Sequence, residues 1–195
     1  MDRRPAPPSI TACLETARLV LRRSTAAEGD DLFALEQDPE VMRFINGGAS
    51  TPRHGGDGTE AFLMPRGGEA HVWCAFEKHT DAFIGWFSLH ARTGGAERTA
   101  ALGYRLRRAA WGRGYGSEGA SALVAAGFTR LGFDRIVATT MAVNRASRRV
   151  LQKAGLVHTR TFHEDWPDPL PGSEHGDVEY AITRRAWEAG GLTPP

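Results

Sequence analysis

The 195-residue chain is long enough to bury the core of one domain, and its 24 basic and 23 acidic side chains leave a formal charge of +1. That balance makes no electrostatic case for nucleic acid, and no run approaches the roughly 18 apolar residues of a membrane span. Cys13 and Cys74 are too few and too far apart for a disulfide framework or a zinc site; they suit a reducing cytoplasm, and no signal peptide is expected at the N-terminus.

Residues 1–12 are proline-rich and expected to fray, 13–190 to form a single domain and 191–195 a tail. Thr16 to Arg23 alternates as a first strand with Leu19 and Leu21 inward. Ser24 or Thr25 opens a helix whose apolar face is Leu32, Phe33 and Leu35. Asp38-Pro39 interrupts it, and Val41, Met42, Phe44 and Ile45 restart a helical turn. Seven glycines crowd residues 46–68, leaving room for a short helix at Thr59 to Met64 and for a substrate-facing loop. Ala70 to Glu77 and Phe83 to Ala91 read as a hairpin, and Thr99 to Arg107 as the next strand. A helix follows at 117–131, then a β-branched strand, Arg135 to Met141, that looks covered on both faces. Asn144 to Ala154 is a short helix stopped by Gly155. Leu156 to Phe162 and Val178 to Thr183 are the last strands, separated by an acidic, proline-rich loop.

The stretch between strand 99–107 and helix 117–131 carries the strongest chemical signal. Gly112, Gly114 and Gly116 free the backbone of side chains, and Ser117 can cap the helix. The opening amides of that helix have no internal partner and lie at the positive end of its dipole, so they suit a phosphate or diphosphate. The spacing is neither the G-x-G-x-x-G of dinucleotide folds nor a P-loop. Strand, helix and strand 135–141 form a right-handed βαβ unit, so one strand pair is parallel inside a mixed sheet.

Three stretches carry a resemblance to a known family. LGYRLRRAAWGRGYGSEGASAL, NRASRRVLQKAGL and TARLVLRR resemble, in order and spacing, the motifs of the GNAT superfamily of N-acetyltransferases, in its RimJ/RimL-type branch. That branch has Trp where the wider superfamily has Gln or Arg, and Trp111 stands there. It often has an acid two residues before the Gly-Tyr pair; Ala101 stands there instead.

The resemblance implies an α/β fold, with helices on both faces of a twisted, mostly antiparallel sheet that splays between strands 99–107 and 135–141. It implies acetyl-CoA as cosubstrate, no metal, and an acceptor that is a peptide N-terminus or a small cationic amine. A homodimer is compatible with the branch. The diphosphate would lie on the amides of Gly112, Arg113, Gly114, Tyr115, Gly116 and Ser117, with Arg113 adding charge. The pantetheine arm would pair with the backbone of Tyr104, Arg105 and Leu106, a Leu106 amide would receive the oxyanion, and Asn144 would bond the arm's amides. Ser147 matches the family serine that protonates the departing sulfur. Glu164 is the chosen base, with Asp165, Glu97 and Glu118 behind it. The five carboxylates of residues 163–177 would attract a cation, and Trp166 could stack on it. A non-catalytic CoA-binding module and a succinyl-CoA-dependent enzyme are the alternatives.

Overall fold

The computed structural model describes residues 13–51, 65–93, 97–165 and 168–190. The expected frayed end, the tail, the helix at 59–64 and Trp166 lie outside them.

The first strand is shorter than the alternation predicts. Thr16 caps a tight reversal, its Oγ1 accepting from Leu19 N at 2.8 Å. This splits the segment into β1 (Leu14–Glu15) and β2 (Leu19–Arg23), paired antiparallel. Thr25 then closes a capping box with Glu28 around a 3-10 turn, which runs on into α1 (Gly29–Glu36). The Asp38 side chain caps α2 (Pro39–Asn46), accepting from Glu40 N at 3.0 Å, with Pro39 at the first helical position. The hairpin is present as β3 (Val72–Glu77) and β4 (Phe83–Ala91), followed by β5 (Thr99–Leu106). After α3 (Tyr115–Thr129) come β6 (Arg135–Met141), α4 (Arg145–Lys153), β7 (Val157–Phe162) and β8 (Asp177–Thr183). A final helix absent from the sequence reading, α5 (Arg184–Ala189), is capped by Thr183 Oγ1 on Ala186 N.

The eight strands form one sheet in the order β1-β2-β3-β4-β5-β6-β8-β7. Every pairing is antiparallel except β5 with β6, which pair in parallel only from Thr99–Arg135 to Ala101–Val137. From there the two strands part. Ile136, Val137 and Ala138 are buried, but Thr139, just past the last pair, is exposed. The strand expected to be covered on both faces is therefore open where the sheet splits.

Alternate residues divide between two cores. Trp73 and Ala75 of β3 join Phe87, Leu89, Leu102 and Leu106 under α3 and α4, while Val72, Cys74 and Phe76 join Phe83 and Trp86 under α1. Helix α3 lies close on the sheet because Gly119 faces Phe87; a Cβ there would stand 2.2 Å from the ring. That close seat fixes where the start of α3 falls relative to the split.

Candidate active site

Helix α3 begins two residues earlier than Ser117 would have it. Its N-cap is Gly114, held at φ 84°, a left-handed conformation that a side chain would strain. The first bond of the helix runs from Glu118 N to Gly114 O at 3.1 Å, so the amides of Tyr115, Gly116 and Ser117 precede it and point out of the helix start. Ser117 is thus a first-turn residue and not the cap. Gly116 faces α4, where a Cβ would meet Val150 at 3.1 Å, while Gly112, at φ 71°, borders open space.

Arg18 and Glu118 hold this helix start in place. Glu118 accepts from Thr16 Oγ1 at 2.5 Å, Arg18 N at 2.8 Å and Arg18 Nε at 2.7 Å, while Arg18 Nη1 donates to Arg113 O at 2.9 Å. Burial alone would push the Glu118 carboxyl up, but these donors outweigh it and hold its pKa below the usual value. Glu118 is therefore an anchor between the β1–β2 turn and α3, and not a free base. Two other expected contacts differ in part. The Tyr115 side chain is buried in the core and its hydroxyl donates to Glu77, and Arg113 Nη2 also bonds Glu77, at 3.2 Å. Tyr115 offers only its backbone to a ligand, and the Arg113 guanidinium is shared with Glu77.

The split itself is lined by backbone. Arg107 N donates to Ile84 O and Arg92 N to Thr99 O, so the odd-numbered residues of β5 direct their peptide groups at β4. The even-numbered residues direct theirs at β6, and at Tyr104 and Leu106, beyond the Ala101–Val137 pair, β6 has diverged. The Leu106 carbonyl is taken by the Trp111 indole at 2.9 Å. Arg105 is a correction to the expected list: its peptide groups face β4, and its side chain points to the opposite face of the sheet from Tyr104.

Tyr104 and Ser147 meet across 43 residues of chain at one side of the split, hydroxyl to hydroxyl at 2.8 Å. Burial pushes the Tyr104 phenol up to about 12, against the pull of that hydrogen bond, so it stays a proton donor at neutral pH. Asn144 is the N-cap of α4, its Oδ1 accepting from Ser147 N at 3.1 Å. Through that oxygen it orients Ser147.

The expected bases are spread out. Glu164 lies on exposed coil just past Phe162, as does Asp165, and Glu97 is exposed on another loop. Register does put Glu164 at the open end of the split, because Phe162 pairs with Asp177 and Asp177 with Met141, the last residue of β6. In the acidic loop, Glu174 binds Gly172 N at 2.9 Å. Among the described residues no group of three or more His, Cys, Asp or Glu could hold a metal ion, and no helix is long and apolar enough to cross a membrane.

The sequence reading missed a buried ionic cluster on the α1 face. Glu36, fully buried at the end of α1, accepts from Arg66 Nη1 at 2.8 Å on both oxygens and from Thr51 Oγ1 at 3.1 Å. Arg105 Nη1 approaches it to 4.0 Å. The signal was present: Glu36 follows Leu32 and Leu35 at helical spacing, so it had to point inward with them. A cleft of about 750 Å³ runs between α1, the start of β4 and the turn at 107–113. Glu179 of β8 is also buried on this side of the sheet, bound by Arg160 at 3.1 Å and by Thr159.

A sheet that parts beside a helix start with outward amides is the arrangement expected of the acetyltransferase class that the sequence motifs resemble. Comparison with known proteins gives the same class. The model of the Acetyltransferase (GNAT) domain matches residues 18–157. The FsC-acetyl coenzyme A-N(2)-transacetylase of Aspergillus fumigatus is 33% identical over 187 residues, covering 89% of this chain and 77% of that one. A GNAT-family acetyltransferase from Bacillus anthracis superposes with a TM-score of 0.70 at 22% identity, over 89% of this chain and 99% of that one. Spermidine N-acetyltransferase from Vibrio cholerae, solved with CoA and spermine, gives 0.67 at 13% identity over 89% and 99%. These two structures speak for the fold. The chain belongs to the GNAT acetyltransferases. It is an N-acetyltransferase, and acetyl-CoA is its acyl donor.

Proposed function

We propose that the chain moves an acetyl group from acetyl-CoA to a primary amine by direct attack, within the RimJ/RimL-type branch. The observation that carries this reading is the juxtaposition at the split: free β5 backbone on one edge, the α3 amides at its mouth and the Tyr104–Ser147 pair alongside. The amides of residues 112–117 would bind the diphosphate, and the even-numbered peptides of β5 would pair with the pantetheine arm as an added strand does. The Leu106 or Tyr104 amide then faces the thioester oxygen and stabilises the oxyanion.

In the reaction the amine nitrogen forms a bond to the carbonyl carbon, the C–S bond breaks, and the thiolate must gain a proton while the new amide loses one. Ser147, backed by the Tyr104 phenol, would protonate the sulfur. Glu164, at the open end of the split, is the proposed acceptor for the amine proton, directly or through water. The acceptor is a peptide N-terminus or a small amine. The name of the Aspergillus relative, which specifies transfer to an N(2) nitrogen, supports a small molecule. A cytoplasmic setting fits the free Cys13 and the buried Cys74, whose thiol burial pushes up to about 12.

The test is acetyl-CoA calorimetry on Gly114→Glu, followed by an amine panel with acetyl- and succinyl-CoA read by released thiol. The variant should lose binding while it keeps its circular dichroism, and unchanged affinity refutes the role given to the turn. Binding without turnover on any amine makes the chain a CoA-binding module instead.

A further inference from the structure

Two arginines flank the ring of Tyr115 at the start of α3, and each is paired with a carboxylate. The guanidinium carbons of Arg18 and Arg113 stand 4.6 and 4.8 Å from the ring centre, and Tyr115 is buried beneath them. The two pairs are built differently. Glu118 Oε2 lies 2.6 Å from Arg18 Nη2 and 2.7 Å from its Nε, while Arg18 Nη1 donates to Arg113 O at 2.9 Å. Arg18 cannot move without releasing the helix start. Arg113 is held to its carboxylate by one longer contact, Nη2 to Glu77 Oε1 at 3.2 Å, and its side chain is 52% exposed. An exposed pair of that kind biases a side chain by about fivefold at most, so this guanidinium is free to leave.

Glu77 ends β3 beside the turn and has two further donors. The Tyr115 hydroxyl bonds Oε1, and Thr80 Oγ1 bonds Oε2 at 2.7 Å. A glutamine would keep both bonds, its oxygen accepting from Tyr115 and its NH2 group donating to Thr80 Oγ1. Only Arg113, of the three partners, is itself charged. Those hydroxyls hold the Glu77 carboxyl below the usual carboxylate range, so it is ionised at neutral pH. Its charge opposes an anion on the amides of residues 112–117 and also engages the nearest side chain that would attract one. Glu77 and Arg113 line the cleft behind the turn together with Arg107 and Arg108, which make no ion pair among the described residues. If Arg113 leaves, Glu77 still has guanidinium groups beside it, so the exchange strands no charge.

We propose that Glu77 is a positioning residue that draws the Arg113 guanidinium off the diphosphate site and so loosens the hold on acetyl-CoA and on product CoA. This rests on the acetyl-transfer reading above, in which the diphosphate lies on the amides of residues 112–117. Arg113 then has two stations. One is the face of Tyr115 beside Glu77; the other is the diphosphate, where its fork bonds two oxygens at once. Donor and product carry the same diphosphate, so a grip that is too firm on one delays release of the other. The competing carboxylate relieves that. Glu77 touches no reacting atom and is assigned no step in the chemistry.

The experiment measures acetyl-CoA and S-acetylpantetheine by calorimetry on the wild type, Glu77→Gln, Arg113→Gln and the double variant. S-acetylpantetheine keeps the thioester arm and lacks the diphosphate. Glu77→Gln should bind acetyl-CoA about two- to fivefold more tightly, with S-acetylpantetheine unchanged. Stopped-flow mixing should show CoA leaving that variant more slowly by a similar factor. Most of the gain should vanish in the double variant, and Arg113→Lys in the Glu77→Gln background should retain part of it. If Glu77 only anchors Tyr115, Glu77→Gln binds acetyl-CoA no better than the wild type, and the proposal falls. A gain that extends to S-acetylpantetheine, or survives in full without Arg113, also overturns it. Arg113→Gln changes an exposed side chain and does not endanger folding; alone it should cost little affinity, and a loss beyond about tenfold refutes the competition. Lost binding in Gly114→Glu with no gain in Glu77→Gln sinks this inference alone. Unchanged binding in Gly114→Glu takes the diphosphate off the turn and sinks the reading beneath it.

Discussion

Removing the Glu118 carboxylate tests whether the start of α3 is held from outside the helix. In Glu118→Ala, Thr16 Oγ1 and Arg18 N lose an acceptor at 2.5 and 2.8 Å, and the Arg18 guanidinium loses its ion pair at 2.6 Å. Hydrogen bonds to a charged group are worth about 1.5–3 kcal/mol each. The Arg18 side chain is 43% exposed and can return to water, so its share is heavily discounted. The two less exposed bonds then dominate, for a net loss of about 3 kcal/mol. In a domain of this size that lowers Tm by about 6–12 °C.

The pH dependence fixes the cause. The folded pKa of Glu118 lies below its ordinary value of about 4.5, so its contribution is complete above that pH and is lost as pH falls through the folded value. The gap in Tm between wild type and Glu118→Gln should therefore be widest at neutral pH and narrow as pH falls below about 4.5 through the lowered folded value. Scanning calorimetry from pH 3 to 8 reads it directly. Acetyl-CoA affinity should fall severalfold in parallel, because Arg18 also carries Arg113 O. A Tm within 1 °C of wild type, or a gap that widens in acid, refutes the reasoning.

Tyr104→Phe and Ser147→Ala should each lower kcat by about 10–100-fold with little change in acetyl-CoA affinity, and the double variant should be no worse than either. Additive losses would show that the two hydroxyls do not act as one donor. The Tyr104 pKa of about 12 also means that kcat for a pre-deprotonated acceptor should show no falling limb below pH 10; a limb near 8 assigns the acid elsewhere. Gly119→Ala gains about 1 kcal/mol of helix propensity but forces a methyl group to within 2.2 Å of the buried Phe87 ring. Overpacking, at about 1–3 kcal/mol, should win, and urea unfolding should show a lower midpoint with unchanged slope. A variant as stable as wild type would mean that α3 is not seated as described.

Local signals marked most elements to within a residue or two, because period, capping and breaker chemistry act over a single turn or strand. Strand β6 matches residue for residue, Thr25 caps where a hydroxyl before Glu28 should, and Gly155 stops α4 with φ 88°. The start of α3 moved because Gly114, free to be left-handed, capped it before Ser117 could. Strand β2 lost its first residues because Thr16 turned back on Leu19.

The pairing of distant side chains was beyond any window of sequence. Ser147 was visible as a motif serine and Tyr104 as part of a strand, but only the packing of α4 against β5 brought their hydroxyls together. Glu118 stood among the reserve bases, and it became an anchor because the turn into β2, 100 residues earlier, runs beside the start of α3. The chain alone therefore determined the helices, the strands and the glycine turn, each of which depends on neighbours a few residues away. Tertiary structure decided which charges are buried, where the sheet splits and what faces the split, because those depend on contacts between segments that local chemistry does not encode.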